Sequence, residues 1–249
     1  METVSPFLVP FMLVLARVSA AVGVMPVFGW PGTPMRVRVG VALLVSFALA
    51  AVLPPAAPAG LQWVAVAVVL AGEIATGAAI GLVMALVFAG VQQSGVIIAQ
   101  QMGLAVAAEI DPLTGEEEQP VGTFLETAFA IFFLAAGGHL VMLRLLARSY
   151  EALPPAAAPS AGLLTEAVIE AGAVMLVFAL RLAAPLVAAF LVLAVILAVL
   201  ARILPEMNVL LASLPIRVGL GLLLAASMLP ILDAFSHELA QWLDVFLVT

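Results

Sequence analysis

The 249-residue chain contains no cysteine, and all eight of its basic residues are arginine, so lysine is absent as well. Without cysteine, disulfides, thiol redox chemistry and thiolate metal sites are excluded. Without lysine, the usual Schiff-base and P-loop chemistries go too. Charge is scarce: Asp, Glu, Lys and Arg together make up 9% of the residues, while 65% are hydrophobic. A soluble domain carries roughly 25% charged and about 45–50% apolar residues. Mean hydropathy is +1.30. A globule of this size leaves too much surface to hide so much hydrocarbon in its own core. The class is therefore an integral membrane protein. The net charge of −7 with scattered arginines offers no basic patch for nucleic acid. The opening "METVSPF" lacks the basic stretch of a cleavable signal, so Met1 is expected to belong to the mature protein.

What is present is a series of about six hydrophobic segments, expected to form one domain over 1–249. Val4 to Phe28 is long enough to span a bilayer and carries Arg17 near its middle. "GWPGTPMRVR" reads as a turn, and a second segment runs from Val39 to Leu53. Pro/Ala linkers stand at 54–60 and 153–162, the second expected to be extended. A helix is expected from about Val121 to Tyr150. Another is expected from Val209 to Leu232, with a short amphipathic tail over Ser236 to Val248. Two apolar runs are overlong: Leu61 to Ala108 makes about 72 Å of helix and Leu163 to Leu204 about 63 Å. A hydrocarbon core is only ~30 Å thick, so each run should fold back as two spans. The turn candidates are "GVQQSG" (Gly90 to Gly95) and Pro185, and a lone proline kinks a helix without reversing it. That tension points to apolar surface covered by other protein subunits.

Arg17, Glu73, Gln92, Gln93, Gln100, Gln101, Glu126, His139 and Arg181 all lie in apolar segments. A charged group among them would cost on the order of 2–3 kcal/mol or more facing lipid, so they must face protein, water or each other. Gly95, Ala99 and Gly103 form a narrow stripe that Gln92 extends, and Gly77 and Gly81 repeat the small-xxx-small spacing. Small residues at that spacing let a second backbone approach. Glu166, Glu170, Val177 and Arg181 share a face, expected to be a polar seam along a packed helix.

Between two apolar segments lies "AEIDPLTGEEEQPVG" (Ala108 to Gly122), which holds five of the chain's fifteen acids: Glu109, Asp111, Glu116, Glu117 and Glu118. It fails the EF-hand pattern, because Leu113 and Gly115 stand where oxygen ligands are needed. A solvated connector with Asp-Pro and Thr-Gly turns is the preferred reading over an ion site. His139 reads as a packing or hydrogen-bonding histidine in preference to a proton relay with Arg144 or Glu126. Glu73 is the best proton-carrier candidate on physical grounds, but no second titratable group stands near it in sequence. Met102, just before the acidic loop, is either core filler or a deformable seal. No Ser-His-Asp, metal-ligand or phosphate-loop constellation appears, so neither enzyme activity nor a cofactor is expected.

Four stretches carry a resemblance: "ARVSAAVGVMPVFG" with "PMRVRVGVALLVS", "QQMGLAVAAEIDPLTG", "GGHLVMLRLLARSYEALP", and "LARILPEMNVLLASLPIRVGLGLLL". Together, in order from about Leu13 to Leu224, they resemble the FliR family of the flagellar type III secretion export apparatus, with its virulence counterpart SctT. The resemblance implies an all-α integral membrane protein of tilted, broken helical hairpins that packs into a multi-subunit helical export gate. It implies FliP-like and FliQ-like gate subunits as partners, FlhB-like and FlhA-like export proteins around them, and rod or adaptor proteins above the pore. Unfolded export substrates would pass through, and the setting would be membrane lipid of the bacterial inner membrane at the flagellar basal body. Carried onto this chain, the family's plug loop falls on 103–122, with its acidic part at 109–122. Its residues would be Met102, Gly103, Glu109, Asp111, Pro112, Gly115, Glu116, Glu117, Glu118, Pro120 and Gly122. Arg17, Glu73, Gln92, Gln93, Gln100, Gln101, His139 and Arg181 would serve intersubunit or polar helix packing. The triple glutamate looks closer to the virulence branch, whereas "QQMG", "GGHLVMLRLLA" and "PEMN" lean flagellar. Two other readings stand beside the gate: a self-contained secondary transporter using Glu73 with Arg17 or Arg181, and a purely structural scaffold.

Overall fold

The computed structural model describes residues 8–30, 32–52, 63–103, 120–157, 161–204 and 209–246. Among these residues there are helices and no strands: α1 (Leu8–Val24), α2 (Met35–Val52), α3 (Trp63–Met102), α4 (Pro120–Ala135), α5 (Gly138–Ala152), α6 (Ala161–Ile203), α7 (Val209–Ser227) and α8 (Leu229–Phe246). Three are long and apolar enough to cross a membrane, or up to five if each bent pair counts as one span. In hydrocarbon the backbone must satisfy itself, which a helix does within its own segment.

The overlong runs do not fold back. α3 is one helix of 40 residues and α6 one helix of 43, about 60 and 65 Å long. "GVQQSG" stays helical because its glycines serve packing. A Cβ on Gly90 would sit 2.9 Å from the Met175 carbonyl oxygen, and one on Gly95 would sit 2.5 Å from the Cα of Gly122. Pro185 lies inside α6 without ending it.

Other boundaries also move. Arg36 and Arg38 belong to α2, which begins at Met35, and Arg38 reaches back to the Trp30 carbonyl. The helix expected over Val121 to Tyr150 is two, parted at Gly137, which adopts φ +81. The expected last helix breaks near Met228 with a bend of 42°, and the amphipathic tail belongs to α8. Just after α1, the Phe28 N–H donates to the Pro26 carbonyl at 2.8 Å around Val27 at φ 70, a strained γ-turn.

The chain forms two compact units. The first comprises 1–86, 137–173 and 239–249, the second 87–136 and 174–238. The first unit has its core on α1, α3 and α5, with Leu13, Val14, Val18, Met84, Met142, Leu146 and Tyr150 buried; α2 packs on α1. The second is built around phenylalanines. Phe88 of α3 meets Phe129 and Phe133 of α4 edge-on at 4.9 and 5.5 Å, and Phe235 of α8 lies 4.3 Å from Phe178 of α6 and 5.5 Å from Phe129. Offset and edge-on pairs at such spacings add about 0.5–1.5 kcal/mol each beyond burial.

Candidate functional site

Two places gather the polar and special residues, one in each unit. In the first unit, Arg17 of α1 and Glu73 of α3 are both 1% exposed and form an ion pair, Nε to Oε2 at 2.6 Å. Gly77, one helical turn beyond Glu73, makes this pairing possible. A Cβ there would overlap the carbonyl of Arg17, so only glycine lets α1 lie this close to α3. Gly81 continues the stripe, its absent Cβ lying 2.8 Å from the Ala21 carbonyl oxygen.

The pair is not isolated. Arg17 Nη1 donates to the Ser149 carbonyl at 3.1 Å and to Ser149 Oγ at 3.2 Å, in the last turn of α5, where the negative end of the helix dipole favours a cation. The guanidinium lies 4.1 Å over the Tyr150 ring, and the Tyr150 hydroxyl donates to the Val14 carbonyl at 3.3 Å. The other oxygen of Glu73 accepts the Ala156 N–H at 2.9 Å. Two buried charges thus join α1, α3, α5 and the turn that follows α5. A buried pair is worthwhile only when its remaining donors and acceptors are also met, as here.

In the second unit, the site lies where the chain leaves α3 for the acidic stretch and returns in α4. Met102 is fully buried against Gly221 of α7, and a Cβ on Gly221 would overlap the Met102 side chain. Gly103 follows at φ +79, the left-handed residue that ends a helix without a Cβ penalty. Arg217 Nη1 lies 3.5 Å from the Gln101 carbonyl oxygen, a cation on the last turn of α3. On the return side, Gly122 is buried against Gln92 and Gly95, and a Cβ on it would meet the Gln92 carbonyl oxygen at 3.0 Å. Gly95 and Gly103 are eight residues apart on α3, so the two ends of the connection stand about 12 Å apart along that helix.

Of the residues singled out from sequence, Arg17 and Glu73 come together, and so do Gln92, Gly95 and Gly122. Glu109, Asp111, Pro112, Gly115, Glu116, Glu117 and Glu118 lie outside the described residues, and Pro120 opens α4. Gln92, Gln93 and Gln100 are exposed and Gln101 half-buried. His139 is half-buried, with its Nδ1 buried and unpartnered among the described residues. Arg181 is 65% exposed and pairs with Glu238 at 3.4 Å, well away in sequence from Glu73. Glu166, Glu170 and Val177 are exposed on this chain, so the expected seam is not packed within it. Sequence reading did not single out Ser149, Tyr150, Ala156, Arg217 or Gly221. Ser149 acts through its backbone carbonyl as well as its hydroxyl, and Gly221 is one of two nearby glycines in α7, with nothing local to mark it.

The Gly221 notch has a direct consequence. Gly221→Val is expected to drive Met102 out of its burial, so that peroxide converts it to the sulfoxide several-fold faster than in the unaltered chain. Peptide mass spectrometry of oxidised samples measures this, and equal protection in both proteins would show that the notch does not hold the methionine.

A family model described as "Bacterial export proteins, family 1" matches residues 8–242. The chain is 33% identical over 240 residues to the flagellar biosynthetic protein FliR of Pectobacterium carotovorum subsp. carotovorum, covering 95% of this chain and 88% of that one. It is 30% identical to FliR of Escherichia coli (strain K12), covering 92% and 86%. The surface presentation of antigens protein SpaR of Salmonella typhimurium is 30% identical over 154 residues, covering 61% of this chain and 57% of that one. With the matched span taking in every helix from α1 to most of α8, this all-α membrane protein belongs to family 1 of the bacterial export proteins, the FliR family.

Proposed function

We propose that this chain is a non-enzymatic pore subunit of the flagellar type III protein-export gate, assembled with FliP-like and FliQ-like subunits in the bacterial inner membrane at the flagellar basal body. FlhB-like and FlhA-like export proteins and rod or adaptor proteins are its further neighbours. Its 103–122 segment plugs the closed channel against ions, and unfolded substrates displace it in transit. The observation that carries this reading is the anchoring of both ends of the acidic segment on α3, through Met102–Gly221 and Gly103 on one side and Gly95–Gly122 on the other. The described ends of that segment stand about 12 Å apart along α3, and the acids between them, at 109–118, suit a water-facing stretch. The flagellar branch is favoured because the FliR relatives match over 86–98% of this chain, whereas SpaR and the Yop translocation protein T match over 61%.

Deleting Leu113 to Gln119 is the test. The complex with FliP- and FliQ-like partners is expected to assemble in normal amounts, while the closed channel passes ions at a rate well above that of the intact gate. Unchanged ion conductance in a correctly assembled complex rejects the plug. The transporter reading fits less well. Arg17 and Glu73 are bound to each other and to the backbone, so their hydrogen-bonding groups are already engaged within the fold and are not open to a substrate.

A further inference from the structure

We propose that Arg17 and Glu73 are positioning residues that fix the turn at 154–157, just after α5. In the linker that composition suggests is extended, the described residues 153–157 form a turn. Pro154 to Ala157 closes with the Ala157 N–H donating to the Pro154 carbonyl at 3.0 Å, and Ala156 holds φ 70. Proline at the second position and a positive φ at the third are the marks of a type II turn, whose third position normally belongs to glycine. Here it is alanine, for which the left-handed region costs about 1 kcal/mol or more. The local sequence therefore does not select this turn unaided.

Glu73 supplies what the local sequence lacks. Its Oε1 accepts the N–H of Ala156, the residue in the unfavourable conformation, while its Oε2 is held by Arg17. Arg17 in turn grips the Ser149 carbonyl, which also accepts the Leu153 N–H at 2.9 Å as α5 ends. The pair thus holds the chain at Ser149 before the turn and at Ala156 within it. Both side chains are buried, so water does not compete for the bonds Arg17 makes to Glu73 and Ser149. The role assigned to the pair is to hold the 154–157 turn rigid, and it does not depend on the plug reading.

The absence of native cysteine makes the test clean. A nitroxide on Ala157→Cys in the full-length protein, co-expressed with its partners, reports the motion of the turn. In the otherwise unaltered chain the label is expected to be restricted. In the R17M/E73L background, which removes both charges together, it is expected to move freely while the rest of the fold survives. A label equally restricted in that background would overturn the proposal, because the turn would then hold itself. Should that variant fail to accumulate, hydrogen exchange at the Ala156 amide of the unaltered chain decides. Exchange about 100-fold or more slower than open chain is expected for an N–H held by a buried carboxylate, and exchange at the open-chain rate would overturn it. Arg17→Lys adds a readout that bulk stability would not give. A single ammonium lacks the planar fork that reaches Glu73 and Ser149 together, so the label should loosen even though the charge is kept.

Discussion

Arg17→Met is expected to destabilise the protein by about 3–5 kcal/mol, enough to remove most of the folded material from the membrane. The reason lies in what is left behind. Glu73 is 1% exposed, and without the guanidinium its carboxylate stays buried with only the Ala156 N–H to stabilise its charge. The Ser149 carbonyl and the Tyr150 ring lose their cation at the same time. Glu73→Leu should cost a similar amount by stranding the arginine instead. R17M/E73L, with no charge left to strand, should recover most of the loss, because a buried pair replaced by apolar side chains of like size is often neutral. The strongly non-additive cycle is the signature, read from folded yield and thermal unfolding in detergent. If the two single losses simply add in the double variant, the pair is not the unit described here.

Gly77→Val is the second large effect. Its Cβ would overlap the backbone carbonyl of Arg17, and backbone cannot rotate aside as a side chain can. Overpacking in a filled core costs about 1–3 kcal/mol by itself. Here α1 must also move away from α3, which pulls Arg17 off Glu73, so the loss should approach that of Arg17→Met. A graded series provides the control. Gly77→Ala should hurt most and Gly81→Ala less, since its Cβ would stand 2.8 Å from the Ala21 carbonyl oxygen. Gly219→Ala, with nothing within 4 Å, should be neutral or stabilising by up to about 1 kcal/mol through helix propensity. Thermal unfolding of the purified variants gives the order, and a Gly77→Ala protein as stable as Gly219→Ala would contradict the close approach of α1.

Both effects were half visible beforehand. The Gly77/Gly81 spacing announced a close helix contact, and Gly95 did the same, but the partner was not legible: it is α1 for the first pair and α4 for Gly95. Glu73 stood out as a lone acid in an apolar run, yet its cation lies 56 residues away in sequence. Separation of that order leaves no local trace, because only packing brings the two helices together. The expectation that the long apolar runs must fold back came from bilayer thickness. It failed because length in excess of a bilayer does not by itself create a turn. α3 and α6 contain no residue that stops a helix outright, and Gly77, Gly81, Gly90 and Gly95 of α3 are engaged in packing.

Composition alone determined the class: with 65% hydrophobic and 9% charged residues, the chain had to be a membrane protein, and hydrocarbon admits helices because they satisfy their own backbone. The ordered motifs determined the family, since a run of matched stretches along most of the chain is a property of sequence. Tertiary structure alone decided which charges meet, which glycines face a backbone, where the long helices remain unbroken and why Ala156 can stand in a glycine's place. Those outcomes depend on contacts between residues far apart along the chain, and short-range pattern carries no record of them.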